Sequence, residues 1–203
     1  MAGQQSGSAA VAKTRRPLAG IDRLLEDTAR IKLLAGARVG LLANRTSVTA
    51  RGIASAEGLA RALAGRGKGL VRLFAPEHGW SGTEPEGMQD ATEKATGLPV
   101  HSLYGPRRRP EPESFQDFDV IIVDLQDVGV RCYTYGVTAA LLLRAFAALP
   151  GKQVLICDRA NPLGAAVAGP RLDPGLRSFI GYFDLPFVHG QSLGAILRDW
   201  AGN

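Results

Sequence analysis

Four β-branched residues in a row, Val120-Ile121-Ile122-Val123, stand between two aspartates, Asp119 and Asp124. A strand that is apolar on both faces has to be covered on both faces, which is the condition of a parallel sheet between helices. Similar short apolar runs occur at residues 38–43 (RVGLLA), 70–74 (LVRLF) and 153–158 (QVLICD), with a weaker one over 98–103 that Pro99 interrupts. Between them the apolar period changes to that of a helix. Ile21, Leu24, Leu25, Ala29, Ile31 and Leu34 predict a helix across residues 21–34, and further helices are expected over 53–63, 136–149 and 192–200. Gly65, Gly67 and Gly69 close the second of these, Pro150-Gly151 the third, and Ser192 is a candidate cap for the last. The expected fold class is therefore α/β, a Rossmann-like three-layer sandwich with a mostly parallel sheet.

At 203 residues, 45% of them hydrophobic, the chain has material for one such domain. No run approaches the ~18–20 apolar residues of a membrane-spanning helix. Two cysteines, Cys132 and Cys157, exclude a disulfide framework and a Cys-rich zinc site. The net charge of +5 points toward nucleic acid only until it is located. Lys13, Arg15 and Arg16 give the first 16 residues +3, leaving +2 for the rest, and Arg107-Arg108-Arg109 forms one basic loop. No helical segment carries a basic stripe and no aromatics interleave with the arginines, so no nucleic-acid partner is expected. Residues 1–19, rich in Gly, Ser, Ala and Gln, are expected to be a flexible leader, with residues 20–203 the folded domain. The leader has its basic residues after a weakly apolar stretch, the wrong order for a secretory signal.

In parallel sheets ligands bind beyond the carboxyl ends of the strands. After residue 43 comes Asn44-Arg45-Thr46; after residue 74, Pro76-Glu77-His78-Gly79-Trp80. The 119–124 run empties into Gln126, Asp127, Arg131, Tyr133 and Tyr135, and the 153–158 run ends in Asp158-Arg159-Ala160-Asn161. Such a rim of carboxylates, amides, cations and phenols predicts a polar cleft. A Gly-x-Gly-x-x-Gly turn and a Walker lysine are both missing after the strands, so no nucleotide cofactor is expected. Nothing near Cys132 activates it as a nucleophile. His78, His101 and His189 lack metal-ligand spacing, and no metal is expected. Paired carboxylates remain: Glu77 against Asp127 or Asp124, the arrangement that glycoside hydrolysis uses. Asp124 has a structural alternative, capping a helix or holding a loop, whereas Glu77 beside His78 has no evident structural task.

Several blocks carry a resemblance. Phe74-Ala-Pro-Glu77-His78-Gly79, Thr96-Gly-Leu-Pro-Val100, Ser102-Leu-Tyr-Gly105, Asp119-Val-Ile-Ile-Val-Asp124-Leu-Gln126-Asp127-Val-Gly129, Arg131-Cys-Tyr133-Thr-Tyr135, Asp158-Arg159-Ala-Asn161-Pro162, Gly169-Pro170 and His189-Gly190 follow one another in this order. Together they resemble the exo-β-N-acetylmuramidase (NamZ-like) family of bacterial peptidoglycan hydrolases, over about residue 20 to the end. The resemblance implies release of terminal N-acetylmuramic acid from the non-reducing end of peptidoglycan fragments, in cell-wall recycling, without an organic cofactor. It implies Glu77 as the catalytic acid, with Asp127 and Asp124 as candidate partners and His78 beside them. Asn44, Gln126, Arg131, Tyr133, Tyr135, Asp158, Arg159, Asn161 and His189 become candidate substrate contacts. An arginine in that rim suits the lactyl carboxylate of muramic acid. The family pattern departs at Cys132 (a larger aromatic), Ala160 (Pro) and Gln191-Ser192 (Met-Thr). Its members are often exported and carry a C-terminal domain absent from this chain. Two alternatives stay open: a non-catalytic carbohydrate- or partner-binding domain, and a metal-dependent hydrolase using His78, His189 and aspartates.

Overall fold

The computed structural model describes residues 18–82 and 90–202, so most of the expected leader and the Gly- and Glu-rich stretch after Gly82 lie outside the described residues. The sheet contains β1 (Arg38–Leu42), β2 (Gly69–Ala75), β3 (Ala91–Thr92), β4 (Pro99–Ser102), β5 (Val120–Val123) and β6 (Gln153–Ile156). Their order is β3-β4-β2-β1-β5-β6. All neighbours are parallel except the two-residue edge strand β3, which runs antiparallel to β4. From β1 the chain progresses outward through β2 to β4, then returns to the other side of β1 for β5 and β6. The direction reverses between β1 and β5, where a doubly wound sheet opens its ligand crevice.

Alternate residues of each strand divide between two cores. Val120 and Ile122 of β5 join Val39, Leu41 and Leu73 beneath α1 (Gly20–Glu26), α2 (Thr28–Leu34) and α3 (Ser55–Leu63). Ile121 and Val123 face the other way, with Leu42 and Phe74, onto α4 (Tyr135–Ala147) and α5 (Leu193–Ala201). The three-layer α/β sandwich is therefore as expected. Gly40 of β1 is a packing requirement: a Cβ there would lie 2.6 Å from Ile121 Cδ1 and 2.9 Å from the Phe74 ring.

Two local differences from the sequence pattern have clear causes. The expected helix over residues 21–34 divides at Asp27, whose carboxylate accepts the backbone N–H groups of Ala29 and Arg30 and so starts a new helix. A hairpin of β7 (Val167–Arg171) and β8 (Pro186–His189) was not foreseen. All five residues of β7 are exposed, and Gly169-Pro170 removes any apolar alternation.

Phe146 of α4 is shut off from solvent and meets Phe115 edge to face at 6.0 Å. Truncation there leaves a cavity that rigid strands cannot fill. Phe146→Ala is expected to cost about 3–5 kcal/mol in denaturant unfolding.

Candidate active site at the strand ends

At the reversal point between β1 and β5 the crevice is occupied by the protein itself. Asp124, fully buried, accepts Arg159 Nε on Oδ1 at 2.7 Å and Arg159 Nη2 on Oδ2 at 2.9 Å. Ser55 Oγ adds a 2.5 Å hydrogen bond to Oδ2, and Ser47 Oγ donates to the Asp124 carbonyl. Arg159 Nη2 also donates to the Val48 carbonyl. One ion pair thus joins the end of β5, the end of β6, the β1–α3 loop and the start of α3.

Other rim residues are likewise committed to neighbouring backbone. Asp158 receives Ser192 Oγ at 2.6 Å and the Gly194 N–H at 2.8 Å, fixing the start of α5. Ser192 itself accepts the Ala195 N–H, the cap expected of it. Asn161 donates to the Gln191 carbonyl and accepts the Leu163 N–H. Gln126 donates to the carbonyls of Asp127 and Ala160. Arg131 holds the carbonyls of Pro170 and Leu185 through Nη1, so this guanidinium clamps the β7–β8 hairpin.

A different group of side chains meets at Glu77. Pro76 to Gly79 forms a tight turn closed by the Gly79 N–H on the Pro76 carbonyl at 3.0 Å. His78 holds φ +68°, a left-handed conformation that a side chain adopts at a cost of about 1 kcal/mol. This turn projects half-buried Glu77 beyond β2 and leaves His78 exposed. Glu77 Oε2 accepts the hydroxyl of Thr134 at 2.5 Å. Thr134 precedes α4 in the capping position yet makes no side-chain cap bond, forgoing a contact ordinarily worth about 1 kcal/mol. Nothing in the sequence marks Thr134, because its partner Glu77 lies 57 positions away in the chain.

Next in the chain, Tyr135 reaches the same place. Burial pushes its phenol above the ordinary value, a hydrogen bond with Asn44 partly offsets this, and the Glu77 charge adds to it. The Tyr135 phenol therefore lies within electrostatic reach of the Glu77 carboxylate. Asn44, itself buried, accepts from Thr46 and Ser47 and so stiffens the loop after β1. Tyr133 stands half out of the surface nearby.

The second carboxylate of the rim is Asp127. It is nearly buried; Oδ1 accepts the Gly129 N–H at 2.6 Å and lies 3.1 Å from His189 Nε2. His189 Nδ1 accepts the Gln191 N–H, which leaves Nε2 to carry the proton toward Asp127. The histidine therefore orients an acid rather than facing solvent.

Elsewhere, burial pushes the Cys157 thiol up to about 12, with the Asp124 charge adding to the effect. Among the described residues no three His, Cys, Asp or Glu side chains stand close enough to hold one metal ion, and no helix is long and apolar enough to cross a membrane. The basic loop is not simply solvated: Arg107 pairs with Asp90, and Arg108 lies over the Phe179 ring. A groove of about 1040 Å³ lies along the β7–β8 hairpin and α5. Its walls include Arg144, Tyr182, Trp200 and His189 but not Glu77, so this groove and the side chains around Glu77 are separate features.

Residues 39–202 match the family model described as exo-beta-N-acetylmuramidase NamZ, N-terminal. The chain belongs to that family. It is 37% identical, over 188 residues, to the peptidoglycan beta-N-acetylmuramidase NamZ of Bacillus subtilis, covering 91% of this chain and 44% of the relative. Crystal structures of two DUF1343 family proteins from Bacteroides fragilis superpose with TM-scores of 0.78 and 0.69 at 36% and 32% identity. They are matched over 91% and 87% of this chain but 46% and 44% of their own length. The chain thus spans less than half of each relative. NamZ-family membership accounts for the shared Rossmann-like frame.

The Asp124–Arg159 pair generates a stability prediction. Asp124→Ala strands a buried guanidinium and is expected to cost about 3–5 kcal/mol, as is Arg159→Leu. The double variant Asp124→Leu/Arg159→Met removes both charges and is expected to lose much less than the two single losses combined, in denaturant unfolding.

Proposed function

We propose that this chain carries the glycosidase chemistry of its family: release of terminal N-acetylmuramic acid from the non-reducing end of peptidoglycan fragments. The observation that carries this reading is the Glu77 carboxyl. It is presented by a strained turn at a strand end, tied by the Thr134 hydroxyl, and within electrostatic reach of the Tyr135 phenol. The Bacillus subtilis relative, a peptidoglycan beta-N-acetylmuramidase, supports the substrate class.

Glu77 donates its proton to the glycosidic oxygen as the bond to the anomeric carbon breaks, and the leaving sugar departs with a free hydroxyl. A water adds to that carbon and returns a proton to the carboxylates. Asp127, oriented by His189 and the Gly129 N–H, is the second carboxylate and balances the positive charge that develops on the sugar ring. Asp124 has the structural task already allowed for it, since both its oxygens are bound by Arg159 and Ser55. Tyr135, Asn44 and Tyr133 offer hydroxyl, amide and ring surface to the sugar. Gln126, Arg131, Asp158, Arg159 and Asn161 act behind them, keeping the loops in register. Muramyl saccharides are the partners of this reading, and no cofactor takes part in it.

A chromogenic β-N-acetylmuramide tests it. The chain is expected to release the chromophore, and Glu77→Gln to lower kcat by on the order of 10²–10⁴-fold while leaving the unfolding midpoint unchanged. Turnover is expected to survive a chelator; its loss there supports the metal-dependent alternative instead. Saturable binding of the muramide without release supports a binding domain.

A further inference from the structure

Resting on the proposed acid role of Glu77, we infer that Thr134 is the positioning residue that selects which Glu77 oxygen carries the transferable proton. The backbone of Glu77 is already held by the Pro76–Gly79 turn, so what remains free is the rotation of its side chain. The Thr134 hydroxyl removes that freedom with a 2.5 Å bond to Oε2. A hydroxyl that donates to Oε2 favours that oxygen as the carbonyl acceptor of the neutral carboxyl, which puts the acid proton on Oε1.

Thr134 is equipped for this. It is buried, its β-branched side chain has few rotamers, and its carbonyl accepts the Thr138 N–H as the first bond of α4. Helix α4 is itself buried along most of its length, so its first residue is fixed by the core. The hydroxyl is not used to cap that helix, although it stands in the capping position. Its one described hydrogen bond serves the carboxylate. The mobile end of a flexible glutamate is thereby referred to the hydrophobic core through one threonine. A small displacement of a reacting group is sufficient to cost a large factor in rate.

The test compares Thr134→Val, which keeps the shape and removes the hydroxyl, with Thr134→Ser, which keeps the hydroxyl. On the chromogenic muramide, Thr134→Val is expected to lower kcat by on the order of 10²-fold with KM changed no more than about twofold. Thr134→Ser is expected to restore most of that loss. An unchanged kcat in the valine variant overturns the inference. So does an equal loss in both variants accompanied by an equal fall in Tm, because that is a packing effect. If the wild-type chain releases no chromophore, the proposed function fails separately. Crystal structures of the two variants then still decide this point: the Glu77 carboxyl turns away in the valine variant and stays in the serine variant, or the inference is overturned.

Discussion

At the carboxyl end of β5, the Asp124 carboxylate and the Arg159 guanidinium lie out of water and tie together the loops after β1, β5 and β6. Taking both charges out of solvent is unfavourable by several kcal/mol each, and the offset depends on complete hydrogen bonding. That completeness is visible: two bonds from Arg159, one from Ser55, and a further one from the guanidinium to the Val48 carbonyl. The pair therefore works as a gauge. It tolerates only one mutual arrangement of the loops after β1, β5 and β6. Those loops carry Asn44, Asp127 and Asn161.

On this fixed base the rim separates into side chains that hold loops and side chains that are held for use. Asp158, Asn161, Gln126 and Arg131 bond to backbone groups of other segments, and each replaces a contact that a buried loop otherwise lacks. Glu77, Tyr135 and Asp127 differ. Each is approached by a donor or a charge, Thr134, Asn44 or His189, that sets its direction without closing the site. The turn strain at His78 belongs to the same division, since it is a local cost that the fold sustains where a carboxylate has to project.

The sheet and its helices were legible in the sequence because strands buried on both faces must be apolar throughout, as at Val120-Ile121-Ile122-Val123. The β7–β8 hairpin was not legible. Its order comes from Arg131 and from the backbone pairing of residues 129–131 with β8, contacts that leave no pattern in β7 itself. The rim was legible as a set of residue types at strand ends. Its roles were not, because Asp124 and Asp127 are three positions apart and chemically identical. What separates them is that Asp124 lies directly beneath Ser55 and Arg159, whereas Asp127 meets only the Gly129 N–H and His189.

In the proposed function, the reactive centre is the Glu77–Thr134–Tyr135 cluster and not the groove beside the hairpin. A crystal structure of the Glu77→Gln variant with a disaccharide bearing N-acetylmuramic acid at its non-reducing end tests this most directly. The glycosidic oxygen is expected within hydrogen-bond distance of the side chain at position 77, with the sugar against Tyr135 and Asn44. A disaccharide seated instead along Arg144 and Trp200, with position 77 untouched, contradicts it.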